Sequence, residues 1–304
     1  MRRAFAFLAA CLLLLAGQAA PAGACTLWSA VGDAAGGGTL LAKNRDNAPE
    51  QTDALILVRP ETGLACVGLF ATVNGRERLV AGVNEAGLSV VSATAGGVPK
   101  ALRDGPSRVK GLLGRVLSEC RSLEDVLSRR EWFAGHSPVI YMVSDHTGAA
   151  WIEVGPADSD GGNVAVRRAA SGALSHTNHY LSEELAGQNT RIGASSAARL
   201  ARIQALLTGP AAAYTLEDFL RMSRDQSAGP DDSIFRTGGT PRSTRTLATV
   251  AVRTPATGAP VLDVSGFEKP GEPWHVRLVL DDGFWEQVSK GAMKTLAPNT
   301  SGNN

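Results

Sequence analysis

Cys25 stands directly after Ala22-Gly23-Ala24, at the end of an apolar leader. Met1-Arg2-Arg3 is basic and Ala4 to Gly17 is almost wholly apolar, so the first 24 residues have the layout of a secretory signal peptide cut after Ala24. A chain that opens on Cys25 carries a thiol and a free α-amine on one residue. Their ordinary pKa values are about 8.5 and about 8. One residue then supplies both a nucleophile and the base that activates it.

Such a thiol needs a group that orients the amine and donors for the oxyanion of an attacked amide carbonyl. Asp46, in Lys43-Asn44-Arg45-Asp46, follows a glycine turn that can return it beside Cys25, where a carboxylate would hold the ammonium. Asn178, in Ser175-His176-Thr177-Asn178-His179-Tyr180, ends an expected strand and offers a side-chain amide to an oxyanion. Arg199 and Arg202 lie three residues apart on an expected helix. Arg199 near the thiol would favour thiolate, whereas Arg202 reads as a solvated face. His176 and His179 are assigned to local packing, because the α-amine makes a histidine base unnecessary. Lys43, Arg45 and Thr94 are candidates for binding substrate or oxyanion. The sequence holds no C-x-x-C and no histidine cluster of metal-ligand spacing, so neither metal nor organic cofactor is expected.

These residues must be positioned by hairpins. Cys25 to Val31, a break at Gly36-Gly37-Gly38 and Thr39 to Lys43 read as strand, turn, strand. Ala54 to Arg59 and Cys66 to Val73 follow as strands. Arg78 to Val83 with Leu88 to Ala93, and Val139 to Ser144 with Ala149 to Val154, form two more hairpins. Val164 to Arg168, Leu174 to Asn178, Thr246 to Val252, Val261 to Val264 and Val276 to Leu280 complete the β pattern. Ser107 to Arg130, Ser195 to Leu207 and Leu216 to Met222 have helical spacing, with Ser122 capping a second segment of the first. Ala228 to Arg245 reads as loop. Two groups of hairpin-linked strands separated by helices indicate an α+β or layered α/β/α protein with antiparallel sheets.

The bulk numbers set limits. Nearly half the chain is apolar, and about 280 residues remain after the leader, enough for a well-filled domain. The leader holds two arginines and no acid, so the formal net charge falls from +1 to −1. That balance excludes a nucleic-acid binder and a polybasic membrane-surface protein. No later stretch reaches the roughly 20 apolar residues of a membrane span. Cys66 and Cys120 either pair or are buried small side chains. The expected organisation is a signal peptide over 1–24, one domain over 25–297 and a disordered tail over 298–304, with export to the periplasm or the medium.

Taken in order, the motifs resemble the choloylglycine hydrolase and isopenicillin-N acyltransferase-like families. Cys25-Thr26 and Asn44-x-Asp46 look like their opening, and Asn84-Glu85-x-Gly87-Leu88 like their next hairpin. Thr177-Asn178 is similar to their oxyanion segment, and Ser195-Ser196-x-x-Arg199-x-x-Arg202 to their arginine helix. Thr177-Asn178-His179-Tyr180 and Thr246-Leu247-Ala248-Thr249-Val250 place the chain nearer the acyltransferase-like branch. The resemblance implies a four-layer αββα N-terminal nucleophile hydrolase fold. It also implies Cys25 as nucleophile, Asp46 on its amine, Asn178 in the oxyanion hole and Arg199 supporting the thiolate. Bile salt hydrolases have arginine where Lys43 stands and asparagine where Thr94 stands, which counts against bile-salt specificity.

The expected activity is cleavage of a linear amide of a small molecule through a thioester, by hydrolysis or acyl transfer. Two alternatives stay open. One is a dipeptidase-like cysteine enzyme of the same superfamily. The other is a lipid-anchored binding protein, since Ala22-Gly23-Ala24-Cys25 is also a weak lipobox. Whether signal peptidase or self-cleavage exposes Cys25 is undecided by the sequence.

Overall fold

The computed structural model describes residues 23–73, 75–103, 105, 111–156, 163–208, 213–269 and 272–298. The expected leader up to residue 22, the tail from residue 299 and residues 106–110 of the first expected helix lie outside the described residues.

Fourteen strands are described: β1 (Ala24–Val31), β2 (Thr39–Asn47), β3 (Thr52–Arg59), β4 (Cys66–Val73), β5 (Arg76–Asn84), β6 (Ser89–Thr94), β7 (Val139–Ser144), β8 (Ala149–Val154), β9 (Val164–Ala169), β10 (Gly172–His176), β11 (Arg245–Thr254), β12 (Val261–Lys269), β13 (Glu272–Val279) and β14 (Ala292–Ala297). They form two sheets, ordered β10-β1-β2-β11-β12-β13 and β14-β3-β4-β5-β6-β7-β8-β9. Every pairing in both is antiparallel.

Alternation along each strand sorts side chains onto two faces. From β1 and β2, Leu27, Val31 and Leu41 join Leu55, Leu57, Val67, Leu69, Ile140 and Met142 of the other sheet in one buried core. The opposite face of β1 and β2 presents Trp28, Ala30, Leu40 and Ala42 to helices Ala194–Leu207 and Leu216–Ser223, through Ile203, Phe219 and Met222. Helices Leu112–Glu119 and Leu123–Leu127 cover the outer face of the eight-stranded sheet, packing Leu113, Val116, Leu117 and Val126 on Val90, Tyr141 and Val143. The layers are therefore helix, sheet, sheet, helix.

Local chemistry explains the boundaries. The β1–β2 connection is a 3-10 turn, Gly32–Ala35, followed by Gly36 to Gly38 at positive φ. At Gly38 a Cβ would lie 2.3 Å from the Thr254 carbonyl oxygen, so only glycine fits there. Ser122 caps its helix by accepting from the Asp125 amide at 3.1 Å, as its sequence position indicates.

The corrections are at the edges. β14 and the short helix Asp282–Trp285 arise in a stretch that carries no strong pattern. The 228–245 segment contains a short helix, Gly229–Asp232. β10 ends at His176, so Asn178 lies just beyond the strand. Cys66 and Cys120 are both free and buried, which settles them as small packed side chains. Burial pushes the Cys66 thiol up to about 12.

One buried amide links the strand that carries Asp46 to the helical layer. Asn44 Nδ2 donates to the carbonyls of Ser223 (2.7 Å) and Ile234 (2.8 Å), and its Oδ1 accepts from Thr249 Oγ1 at 2.9 Å. Asn44→Ala leaves three polar groups unpaired, so denaturant unfolding should show a loss of about 3 kcal/mol with an unchanged slope.

Candidate active site

The site forms at the start of β1. Ala24 pairs with Asp46, Cys25 with Arg45, and Thr26 with Asn44. Paired residues share a face, so Cys25, Lys43 and Arg45 point into the space between the sheets. Ala24, Thr26, Asn44 and Asp46 point to the helical layer. The Cys25 thiol and the Asp46 carboxyl therefore leave the sheet on opposite sides, with the Cys25 nitrogen between them in the sheet plane. Cys25 itself is buried.

On the helix side, Arg199 reaches β1 from helix Ala194–Leu207. Its Nη1 donates to the Cys25 carbonyl (2.7 Å) and to Thr26 Oγ1 (2.9 Å). Its Nη2 donates to Asn178 Oδ1 at 2.8 Å, and its Nε to Ser195 Oγ at 3.2 Å. Asn178 Oδ1 also accepts from the Cys25 nitrogen at 2.9 Å. Two donors on one oxygen fix which way the amide points. Its Nδ2 accordingly faces carbonyls, of Thr94 at 2.9 Å and of Gly23 at 3.5 Å. The Asn178 backbone N–H is held by Ser196 Oγ at 3.0 Å. Burial lowers the Arg199 pKa, partly countered by the charge of Asp46, yet guanidinium stays cationic at any working pH.

Asp46 is fully buried and accepts from Thr246 Oγ1 at 2.8 Å through Oδ1. Its Oδ2 has no hydrogen-bond partner among the described residues. Burial pushes its pKa up to about 6, against the pull of Arg199, Arg236, the Thr246 hydroxyl and Lys43. Asp46 is therefore close to Cys25 but not bonded to its nitrogen, which here is a peptide N–H continuing from Ala24.

Between the sheets, Lys43 is buried and donates to the Val80 carbonyl at 2.9 Å. Burial lowers its pKa, while the negative form of the Cys25 thiol would raise it. Arg45 forms a buried ion pair with Asp53 (3.1 Å) and donates to Gln51 Oε1 at 2.6 Å. Thr94 contributes its carbonyl to Asn178, and its Oγ1 lies 3.4 Å from the position a Cβ on Gly23 would take.

Of the sequence candidates, Cys25, Asn178, Arg199 and Thr94 form one bonded cluster, Asp46 adjoins it, and Lys43 and Arg45 line the thiol side. Arg202 stands apart, paired with Asp225 at 2.5 Å on the helix surface. His176 is buried against Glu153 at 2.8 Å, and His179 bonds Ser196 Oγ at 2.8 Å, so both hold the Asn178 segment in place. Thr246, Ser196, Arg236 and Asp53 complete the surroundings without having been singled out as site residues. Thr246 and Ser196 stood inside recognised motifs, which is the signal that could have found them.

The four-layer fold, with a cysteine at the start of a central strand, is similar to that of the N-terminal nucleophile hydrolases. The family model of acyl-coenzyme A:6-aminopenicillanic acid acyl-transferase matches residues 34–261, and the chain belongs to that family. Two solved forms of the conjugated bile acid hydrolase from Clostridium perfringens share its fold. A cysteine-to-alanine mutant superposes with a TM-score of 0.53 at 14% identity, over 90% of this chain and 96% of that one. An arginine-to-leucine variant gives 0.55 at 13% identity, over 88% and 96%. No curated protein matches the chain.

The raised pKa of Asp46 fixes the sign of a pH effect in the chain with Ala24 attached. The folded form takes up a proton near pH 6, whereas the unfolded carboxyl does so near its ordinary 3.8. Stability from this group is thus greatest below about pH 4 and falls as pH rises to about 6. Asp46→Asn should abolish that slope and raise stability at pH 7 by on the order of 3 kcal/mol, read from denaturant midpoints at pH 4 to 7.

Proposed function

We propose that the protein is an exported amidase that cleaves a linear carbon–nitrogen amide with the thiol of Cys25, after residues 1–24 are removed. The bond from the Cys25 nitrogen to Asn178 Oδ1 carries this reading, because it holds the future α-amine in place before the chain is cut. Once freed, that amine keeps its bond to Asn178 and can give another N–H to the unpartnered Oδ2 of Asp46.

In the first step the neutral α-amine takes the proton of the Cys25 thiol, and sulfur bonds to the amide carbon. The carbonyl π electrons move onto oxygen, which accepts from Asn178 Nδ2, released from the Gly23 carbonyl. Arg199, already on Asn178 Oδ1, keeps that amide turned the right way. As the tetrahedral centre collapses, the α-ammonium gives its proton to the leaving nitrogen and the C–N bond breaks. A thioester on Cys25 and a free amine result. Water, deprotonated by the same α-amine, attacks the thioester, and release of the carboxylic acid restores the thiol. The family name favours a second outcome at this stage, in which an acceptor amine takes the acyl group instead of water. Lys43, Arg45 and Thr94 border the space on the thiol side where substrate would lie. The basic, then apolar, leader supports export to the periplasm or medium.

Intact-mass analysis of secreted protein should give a chain beginning at unmodified Cys25. A lipid adduct there would refute the enzyme reading. Cys25→Ala should lose all turnover, with at least a thousand-fold fall in kcat/KM. Iodoacetamide should label one thiol in the native mature protein and three, including Cys66 and Cys120, after denaturation.

A further inference from the structure

Arg236 is a buried cation whose guanidinium has no bonded partner among the described residues. It is 9% exposed, and its Nε is fully buried with nothing to donate to. No hydrogen bond from its guanidinium and no ion pair to it occurs among the described residues. An unpaired charge in such a place is costly unless a nearby opposite charge compensates it. The opposite charge on which Arg236 acts is Asp46, whose Oδ2 is likewise buried and without a hydrogen-bond partner among the described residues.

Backbone geometry brings Arg236 to the strand pair that carries Asp46, with Thr246 bonded to both. The Arg236 N–H donates to Thr246 Oγ1 at 2.9 Å, and the Thr246 N–H returns a bond to the Arg236 carbonyl at 2.9 Å. The same Thr246 hydroxyl donates to Asp46 Oδ1 at 2.8 Å. Thr246 is also the cross-strand neighbour of Asp46. Arg199, the other guanidinium beside Asp46, spends its N–H groups on Cys25, Thr26, Asn178 and Ser195 and gives none to the carboxylate.

We infer that Arg236 is a positioning residue for the nucleophile: its unpaired guanidinium supplies the counter-charge that keeps Asp46 a carboxylate, ready to hold the ammonium of Cys25. The inference rests on the proposed role of the Cys25 amine. Charges reach Asp46 from Arg199 on its helix, Lys43 on its own strand and Arg236 before β11, while Asp232 and Cys25 act on Arg199. Burial drives Asp46 towards its neutral form, and Arg199 and then Arg236 are the strongest charges opposing that drive. Without Arg236, protonation of Asp46 moves to higher pH and the ammonium loses its anionic partner on the acid side.

The test uses the mature protein beginning at Cys25, labelled with 13C at aspartate Cγ, with Asp46→Asn to assign the resonance. In Arg236→Gln the Asp46 carboxyl should titrate about one pH unit higher than in the parent, and the acid limb of kcat/KM should move up with it. Arg236→Lys, which keeps the charge, should titrate like the parent. If the glutamine variant does not fold, Arg236→Met keeps the aliphatic stem and is read the same way. An unchanged Asp46 titration in a folded, charge-neutral variant would overturn the inference. So would a rise in KM confined to anionic substrates, which would make Arg236 a substrate-binding residue. Full activity in Asp46→Asn would instead sink the proposed role of the amine, while the titration still decides the electrostatic coupling.

Discussion

A single buried guanidinium organises the amine side of this molecule. Arg199 joins the carbonyl of Cys25, the hydroxyl of Thr26 and the side chain of Asn178, three groups from two distant stretches of chain. Because Arg199 and the Cys25 nitrogen both donate to Asn178 Oδ1, the amide's N–H groups are forced to face the other way. The direction of one donor pair near Cys25 thus follows from the placement of one arginine. Lysine could not make the same set of bonds, since its single ammonium lacks the planar fork.

The second constraint is the two-sidedness of a β-strand. Cys25 sends its side chain between the sheets while its nitrogen stays in the sheet plane, within reach of groups on the helix side. The two halves of the chemistry are thereby given different surroundings by one residue. Sulfur faces Lys43 and the Arg45–Asp53 pair. Nitrogen lies near Asp46, Asn178 and Arg199. Strand β2 supplies Lys43 and Arg45 to the first set and Asp46 to the second, and its alternation keeps the two sets apart. The electrostatic cost is concentrated on Asp46, a desolvated carboxyl with an unused oxygen. Such a group weakens the fold at the pH where it is ionised.

Much of this could be read from residues alone. The β1–β2 hairpin is legible because three consecutive glycines can only be a turn between two apolar runs. Helix Ala194–Leu207 shows its arginines at helical spacing, and Cys25 marks itself by its position after a leader. β14 is hidden because an edge strand with one covered end, Ala292–Ala297, has little alternation. Arg236 is hidden for a different reason. It stands in a Gly-, Pro- and Ser-rich stretch that reads as loop, and its proximity to Asp46 exists only through strand pairing across some two hundred residues. Lys43 and Arg45 can be named as site candidates from their place beside Asp46, yet only the facing sheet shows that they and Asp53 are buried. The bond from Asn178 Oδ1 to the Cys25 nitrogen was likewise out of reach, because residue type identifies an amide but not which of its ends meets which partner.

The proposed chemistry requires the Cys25 nitrogen to remain where Asn178 and Asp46 can hold it after the leader has gone. A crystal structure of the mature chain tests that directly. The α-nitrogen should lie within about 3.2 Å of both Asn178 Oδ1 and an Asp46 carboxylate oxygen, with the sulfur still facing between the sheets. An amino terminus swung out of this pocket, with Asn178 and Asp46 bonded to other groups, would contradict it.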